Sequence, residues 1–307
     1  MKAVSLLALL AAMSPPALAA SGGAFSIRTE HPSYLLGEPI YLRISSSQAR
    51  PPSLEEYTLT LGAMPLPGSQ GRSGPVAADS APGAGEVFYR PPLRLHTRSA
   101  DSGGIEGPAV RPDSTRPPVF SRYARLIAQE GGLLFPKPGR YLIRLHSASA
   151  IVSDSAILNI RAPSAPADRR AFALISGNPG EYALAVYLEG GDQLKDGMAI
   201  IGALAGFRSA YTRVARFVLS SDWSQDYTDY RGGASRPADL EKALASAQWD
   251  LKPGWYIPLR TAYRLRNAVG EVAARDTAAP GLAEVRGRLK SFETSLTPEA
   301  KALLLSF

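Results

Sequence analysis

The 307-residue sequence has no cysteine and only three histidines. Without cysteine there can be no disulfide and no thiolate-bound metal, so hydrophobic cores have to stabilise the fold. The histidines, His31, His96 and His146, stand too far apart to form the paired motifs of zinc hydrolases. We therefore expect neither a metal site nor a cofactor.

The short motifs of several enzyme classes are also missing. The sequence has no Gly-x-Ser-x-Gly nucleophile elbow, no Gly-x-Gly-x-x-Gly turn and no phosphate loop ending in Gly-Lys-Ser/Thr. The formal net charge is +7, but the basic residues are scattered rather than gathered in one block, so nucleic acid is not an expected partner. These absences favour a non-enzymatic binding or interaction protein.

No apolar run reaches the roughly 20 residues that cross a bilayer. The amino terminus instead combines Lys2, an apolar run over 3–13 and the small-residue pattern Ala17-Leu18-Ala19, which is typical of a secretory signal peptide. We predict a signal peptide over 1–19, cleavage after Ala19, and a periplasmic or secreted mature protein. An envelope protein or a polysaccharide is then the expected partner.

Glycine and proline, by contrast, are abundant, with 28 and 26 residues, and they are concentrated in two places. Between Met64 and Pro118, 24 of 55 residues are Gly, Pro or Ser, a composition that buries too little apolar surface to order a chain. We predict a flexible insertion over 64–118, either a recognition loop or a tolerated addition. The second place, 163–166, is predicted to be a Pro-rich hinge between two domains.

Residues 20–162 contain short runs of alternating or β-branched residues separated by turn signals, such as those over 31–39. This pattern is typical of an antiparallel β-sandwich. The predicted strands are Phe25–Arg28, Ile40–Ile44, Tyr57–Leu61, Tyr141–Leu145 and Ser155–Ile160, with Glu86–Tyr89 and Leu93–His96 as candidates inside the insertion.

Three segments of this part resemble bacterial extracellular Ig-like domains. Tyr34–Leu42 contains a Gly-Glu-Pro lead-in to a strand, Phe135–Leu145 contains a Pro-Gly-x-Tyr turn before another, and a closing strand contains Ser155. They are similar to strands B, F and G of those domains, with Tyr141 placed like a tyrosine corner. The resemblance implies an Ig-like β-sandwich and a role in adhesion or interaction rather than catalysis.

Past the hinge the hydrophobic period becomes that of an α-helix, so 167–307 is predicted to form an α-helical bundle or hairpin domain. Segment 203–211 is similar in its small and aromatic residues to tetratricopeptide hairpins, but no 34-residue repeat can be laid out. Ser235 and Pro237 are expected at the start of one helix. The predicted fold class is multi-domain, all-β followed by all-α. Helices are expected over 168–174, 181–189, 193–205, 210–219, 240–247, 259–272, 282–296 and from 297 onward.

One segment of the helical part combines aromatic rings with acids. Trp and Tyr faces beside carboxylates suit sugar rings and peptides alike, so these side chains are candidate binding residues. Alternatively, the rings simply fill joints between helices. The candidates are Asp222, Trp223, Asp226, Tyr227 and Tyr230, with Trp255 and Tyr256 as aromatic neighbours in sequence.

Three other interpretations of the helical part can be weighed. Asp222 and Asp226 are four residues apart, a spacing that can place them on one helix face as the carboxylate pair of a polysaccharide-active hydrolase. Asp222, Ser224, Asp226 and Thr228 imitate a calcium loop, but Tyr227 occupies the position that requires Gly, so no metal is expected there. Finally, the helical domain could dock on a partner as a structural subunit of an envelope complex.

Overall fold

The structure is a computed structural model. It describes residues 25–46, 57–64, 86–89, 120–129, 132–147, 150–151, 153–228, 235–251 and 256–305. The fold is mixed, with strands up to Arg161 and mainly helices from Pro166 onward. The predicted signal peptide, most of the insertion and the candidate strand Leu93–His96 lie outside the described residues. Every helix in the described part is too short or too polar to cross a membrane.

The strands form two main sheets and two short pairs. The first sheet has the order β1-β3-β6, and the second has the order β2-β11-β9-β4-β5 with β10 also paired to β9. Their pairs are antiparallel except β2 with β11. The strands are β1 (Ser26–Thr29), β2 (Ser33–Leu35), β3 (Ile40–Ser46), β4 (Tyr57–Met64), β5 (Glu86–Tyr89), β6 (Phe120–Leu126), β7 (Ala128–Gln129), β8 (Gly132–Leu133), β9 (Gly139–Ser147), β10 (Ala150–Ile151), β11 (Ala156–Arg161), β12 (Tyr227–Thr228) and β13 (Ser235–Arg236).

Side chains from both main sheets form one hydrophobic cluster. Alternate residues of β3, namely Ile40, Leu42 and Ile44, are buried in the same cluster as Ile143 and Leu145 of β9. Because successive side chains of a strand point to opposite faces, this alternation turns one face of each sheet toward the shared core. The predicted strands over these residues are therefore confirmed.

Besides the two-residue strands β7, β8 and β10, two strands of the main sheets differ from the prediction. The segment 31–39, expected to be a turn, contains β2, in which Tyr34 and Leu35 are buried and the backbone pairs with the end of β11. Strand β6 was not predicted, because its sequence, Phe-Ser-Arg-Tyr-Ala-Arg-Leu, lacks a regular alternation of apolar and polar residues. It is held by pairing along the whole of β3, a partner about 80 residues earlier in the chain.

The predicted helices are all present, with shifted ends. Helix α1 begins at Pro166, so this residue occupies the first helical turn, where a missing N–H is tolerated, and is not part of a hinge. The helices are α1 (Pro166–Gly177), α2 (Pro179–Leu188), α3 (Lys195–Ala205), α4 (Thr212–Trp223), α5 (Leu240–Ser246), α6 (Tyr256–Arg275), α7 (Leu282–Ser295) and α8 (Pro298–Leu305).

The part from Pro166 onward was expected to be all-helical. It also contains one pair of short strands, because β12 and β13 pair between α4 and α5. Ser235 lies in β13 rather than at the start of a helix. The side chain of Asp239 caps α5 instead, accepting a hydrogen bond of 3.0 Å from the Lys242 N–H. Helices α5, α6, α7 and α8 share a separate hydrophobic cluster.

The β part and the helical part are packed against each other. Side chains of β2 and β3 belong to the same hydrophobic cluster as those of α1 to α4. The ring of Tyr41 in β3 stacks on that of Tyr256 in α6, with centroids 4.2 Å apart. The hydroxyl of Tyr211 donates a buried hydrogen bond of 2.6 Å to the carbonyl of Leu36. These contacts hold the two parts together across the short connection before Pro166.

Candidate functional site

A cleft of about 230 Å³, lined by both polar and apolar atoms, lies where the end of α2, the end of α4 and the β12–β13 pair meet. Sites for drug-sized ligands occupy about 300–1,000 Å³, so this cleft has room for one small ring. We call it the Asp222 cleft. It is lined by Leu188, Gly190, Gly191, Gln193, Asp222, Gln225, Asp226, Tyr227 and Arg236.

An arginine shared by two carboxylates forms one wall of the cleft. The guanidinium of Arg236 lies 3.1 Å from the Asp222 carboxylate and 3.1 Å from that of Asp192, in the loop after α2. Burial raises the pKa of Asp222, against the opposing effect of Arg236, and the nearby Asp192 raises it further. The wall is therefore a partly buried ion-pair network, with Asp222 as its most buried member.

The second predicted acid, Asp226, lies just beyond the end of α4. Its carboxylate accepts a 2.8 Å hydrogen bond from the Ala238 N–H and forms an ion pair of 2.6 Å with Arg275. Burial acts to raise its pKa, but the amide and the guanidinium outweigh burial and lower the pKa of Asp226. Because α4 ends at Trp223, Asp222 and Asp226 do not share a helix face, which corrects the geometry expected for a hydrolase pair.

Glycine is required beside Asp222. Gly190 has a φ of +102°, and a Cβ added there would lie 2.5 Å from the Cβ of Asp222. The backbone N–H of Gly191 also bonds to the Asp222 carboxylate. The two glycines follow the end of α2 and let the backbone approach an acid that lines the cleft.

A buried carboxylate adjoins the cleft at the residue before Gly190. Glu189 is 2% exposed and has a φ of 60°, the left-handed conformation that non-glycine residues rarely adopt. Its two oxygens lie 2.9 Å from the Nε of Arg260 and 2.6 Å from the Nε of Arg264, and Ser221 donates a further hydrogen bond. Arg264 also donates to Gln225, which lines the cleft, so the two polar networks are continuous.

The structure distributes the seven candidate residues over several places. Asp222, Asp226 and Tyr227 line the cleft together. Tyr256 is buried against Tyr41 and takes part in the contact between the β and helical parts instead. Tyr230 and Trp255 lie outside the described residues.

Trp223 is half-buried and its ring is already in contact with two cations. The Arg236 guanidinium lies 4.4 Å and the Lys242 ammonium 4.2 Å from the ring centroid. Such cation–π contacts connect α4 to β13 and to α5. Trp223 therefore positions Arg236 and lies at a joint of the helical part, as the alternative interpretation of these rings describes, and its role in binding stays a prediction.

The sequence interpretation missed Glu189, Asp192, Gln193 and Arg236. A signal existed for the first, because Arg260 interrupts an otherwise apolar run at the start of α6, and a charge within such a run is typical of a buried ion pair. Arg236 carried no comparable signal, since its partners depend on how the loop after α2 folds back.

The cleft offers hydrogen bonds without a free ion. Its carboxylates and guanidinium are paired with one another or with neighbouring arginines. Across the described residues, no group of three His, Asp or Glu side chains is placed to hold a metal ion. Comparison with family models, curated proteins and solved structures finds no match to this chain.

Proposed function

We propose that this chain is an exported, non-enzymatic binding protein of the bacterial envelope, and that the Asp222 cleft binds one sugar unit of a polysaccharide. The mutual pairing of the cleft's charges is the observation that carries the proposal. A charged ligand would have to displace an ion pair, and a buried charge left alone is costly. A neutral hydroxyl needs no such displacement, because an ionised carboxylate has about four acceptor sites and its present partners use only some of them.

Size and lining support the same ligand. The cleft volume of about 230 Å³ suits a single ring. Tyr227 lies at the cleft and supplies an aromatic side chain, and aromatic faces contribute to the binding of small apolar and polar rings. Gln193 is exposed there and its amide can both donate and accept hydrogen bonds, as a hydroxyl-rich ligand requires.

The β part supports the assignment as an Ig-like β-sandwich, the second element of this proposal. In Ig domains, strand B lies between A and E, and strand F lies between C and G. The segments that resemble B, F and G form β3, β9 and β11. Strand β3 lies between β1 and β6, as B lies between two strands, and β9 lies between β4 and β11, as F lies between C and G. The hydroxyl of Tyr141 donates a 2.8 Å hydrogen bond back to the carbonyl of Lys137, as a tyrosine corner does.

In this proposal an Ig-like domain over 20–162 and a helical domain over 167–307 act as one rigid unit. Their shared core and the Tyr41–Tyr256 stack fix the helical domain relative to the sheets. A rigid support reduces the entropy lost when a ligand orders the site. The predicted insertion over 64–118 would then provide a second contact with the same polysaccharide.

The test is binding of the mature chain, from residue 20, to an array of bacterial polysaccharides, followed by calorimetry with an oligosaccharide of each positive glycan. Tyr227→Ala is expected to weaken binding about tenfold, because stacking on an aromatic ring is lost. Gln193→Ala is expected to weaken it several-fold by removing hydrogen bonds.

Gln248→Ala is the matched control, because Gln248 bonds to backbone carbonyls elsewhere in the helical part and does not line the cleft. It should leave the affinity unchanged. If no bacterial glycan binds, or if the Tyr227 and Gln193 variants bind as tightly as the parent, the proposed site is wrong.

A polysaccharide-active hydrolase is the second candidate, favoured by one observation. Asp222 and Asp226 line one cleft, and their pKa values are shifted in opposite directions, upward and downward. Such a difference suits a general acid beside an ionised carboxylate. Release of reducing ends from the bound glycan should then disappear in the Asp222→Asn/Asp226→Asn double variant. Hydrolysis that survives this change excludes the pair.

A further inference from the structure

A second concavity, of about 430 Å³, lies among α6, α7 and α8 and shares no lining residue with the Asp222 cleft. We call it the α8 groove. It is lined by Arg266, Lys290, Glu293, Thr294, Lys301, Leu304 and Leu305. Neither the predicted motifs nor the proposed polysaccharide site uses these residues.

The groove carries an excess of positive charge. Arg266 and Glu293 neutralise each other through an ion pair of 2.5 Å. Lys290 and Lys301 are exposed and form no ion pair with the described residues. Two ammonium groups therefore face one concavity without a compensating carboxylate from its lining, an arrangement that attracts an anion.

The groove also has an apolar side. Leu304 is buried, but Leu305 is 72% exposed, the highest value among the large apolar side chains that the structure describes. Removing a leucine side chain from water is favourable in proportion to its area. A soluble inorganic anion would leave Leu305 exposed, whereas a ligand with an acyl chain would cover it.

We propose that the α8 groove binds an anionic phospholipid at a membrane surface. The phosphate lies near Lys290 and Lys301, and Leu305 enters the boundary between headgroups and acyl chains. Lys290 of α7 and Lys301 of α8 beside the exposed Leu305 combine the basic and apolar side chains that interfacial membrane contacts use. Anionic lipid surfaces attract such lysines over about one Debye length. The positive net charge acts in the same direction, being +7 for the full sequence and +6 once Lys2 is removed with the predicted signal peptide.

The test is co-sedimentation of the mature chain with vesicles of phosphatidylcholine alone and with vesicles that also contain phosphatidylglycerol. Binding is expected only with the anionic lipid. Each lysine near an anionic surface strengthens binding roughly five-fold, so Lys290→Gln/Lys301→Gln should weaken it about 30-fold. The matched control is Lys137→Gln/Lys195→Gln, which removes two exposed lysines outside the groove and should have a small effect.

Two further measurements distinguish a lipid from other anions. Leu305→Ser should weaken vesicle binding about tenfold, because the apolar contact is lost while both lysines remain. Glycerol phosphate in solution should not displace the protein from vesicles at concentrations near those of the lipid headgroups. All variants alter exposed side chains, so their unfolding transitions should match the parent and a binding loss cannot be attributed to unfolding.

Equal binding to both vesicle types would overturn the proposal, as would unchanged binding of the Lys290→Gln/Lys301→Gln variant. Full displacement by glycerol phosphate, together with an unaffected Leu305→Ser variant, would show a site for soluble phosphates and exclude a membrane contact. Binding to an acidic polysaccharide in place of the vesicles would equally contradict it.

Discussion

Replacement of Glu189 by Gln should cause a large loss of stability. Glu189 and Arg260 are 2% and 1% exposed, so water cannot solvate the arginine once its carboxylate is neutralised. The second partner, Arg264, is 22% exposed and can turn toward solvent. Removing one member of a buried ion pair costs about 3–5 kcal/mol, chiefly because the other charge stays buried. For a 307-residue chain, with an unfolding entropy of about 2.1 cal/mol/K per residue, that loss corresponds to a fall in Tm of about 5–8 °C.

Urea unfolding followed by circular dichroism measures this loss through the shift of the midpoint at constant slope. Glu293→Gln is the matched control, since it makes the same chemical change in the pair with Arg266, whose side chains are 37% and 38% exposed. Exposed pairs contribute about 0–1 kcal/mol, so the control should unfold close to the parent.

A double variant separates charge from packing. In Glu189→Gln/Arg260→Met the buried cation is gone, and apolar replacements of buried ion pairs are often neutral. The double variant should therefore be more stable than Glu189→Gln alone. If Glu189→Gln costs no more than the control, or if Arg260→Met adds a further loss, an unpaired buried charge is not the cause of the destabilisation.

Three more predictions concern the cleft, pH and the contact between the β and helical parts. Gly190→Ala should destabilise the fold by about 2 kcal/mol or more, because Gly190 has a positive φ and the added Cβ would clash with a neighbouring carboxylate. Gly202→Ala, in open space on α3, should instead stabilise the fold by about 0.5–1 kcal/mol. Thermal melts of both variants measure the two effects. Burial raises the pKa of Glu38 from 4.5 to about 7, so between these pH values the folded state holds a proton that the unfolded state has lost. The free energy of unfolding should therefore fall by about 3 kcal/mol as the pH rises from 4.5 past 7. Urea titrations across this range measure the fall, and Glu38→Gln should flatten it. Tyr211→Phe removes the donor to the buried carbonyl of Leu36 in the β part, and should lower the free energy of unfolding by about 1–3 kcal/mol. Unfolding should still occur in one cooperative transition, because the two parts share a core. Two separate transitions would contradict a shared core.

The helices could be predicted because their signal is local. In α6, buried residues recur at Leu259, Ala262 and Leu265 with the period of the helix, and no distant partner is needed to recognise that pattern. Strands β2 and β6 lack such a signal. Their positions depend on pairing with β11 and β3, which the local sequence does not encode.

The candidate site was predicted only where its residues are neighbours in sequence. Asp222, Asp226 and Tyr227 were found because they lie within six residues of sequence, at and just after the end of α4. Glu189 and Arg260 are 71 residues apart, and no spacing rule connects them. For Trp223 both a binding role and a place in a helix joint were open, because the sequence cannot show that cations from β13 and α5 contact its ring.

The backbone at Glu189 links the stability of the helical part to the shape of the cleft. A left-handed non-glycine residue costs about 1 kcal/mol or more and persists only where surrounding contacts determine it. At Glu189 those contacts are the two arginines, which hold the carboxylate while the chain reverses after α2. The reversal places Gly190 directly against Asp222. The buried ion pair thus fixes the turn, the turn fixes the cleft wall, and a change that loosens Glu189 should weaken ligand binding before it unfolds the chain.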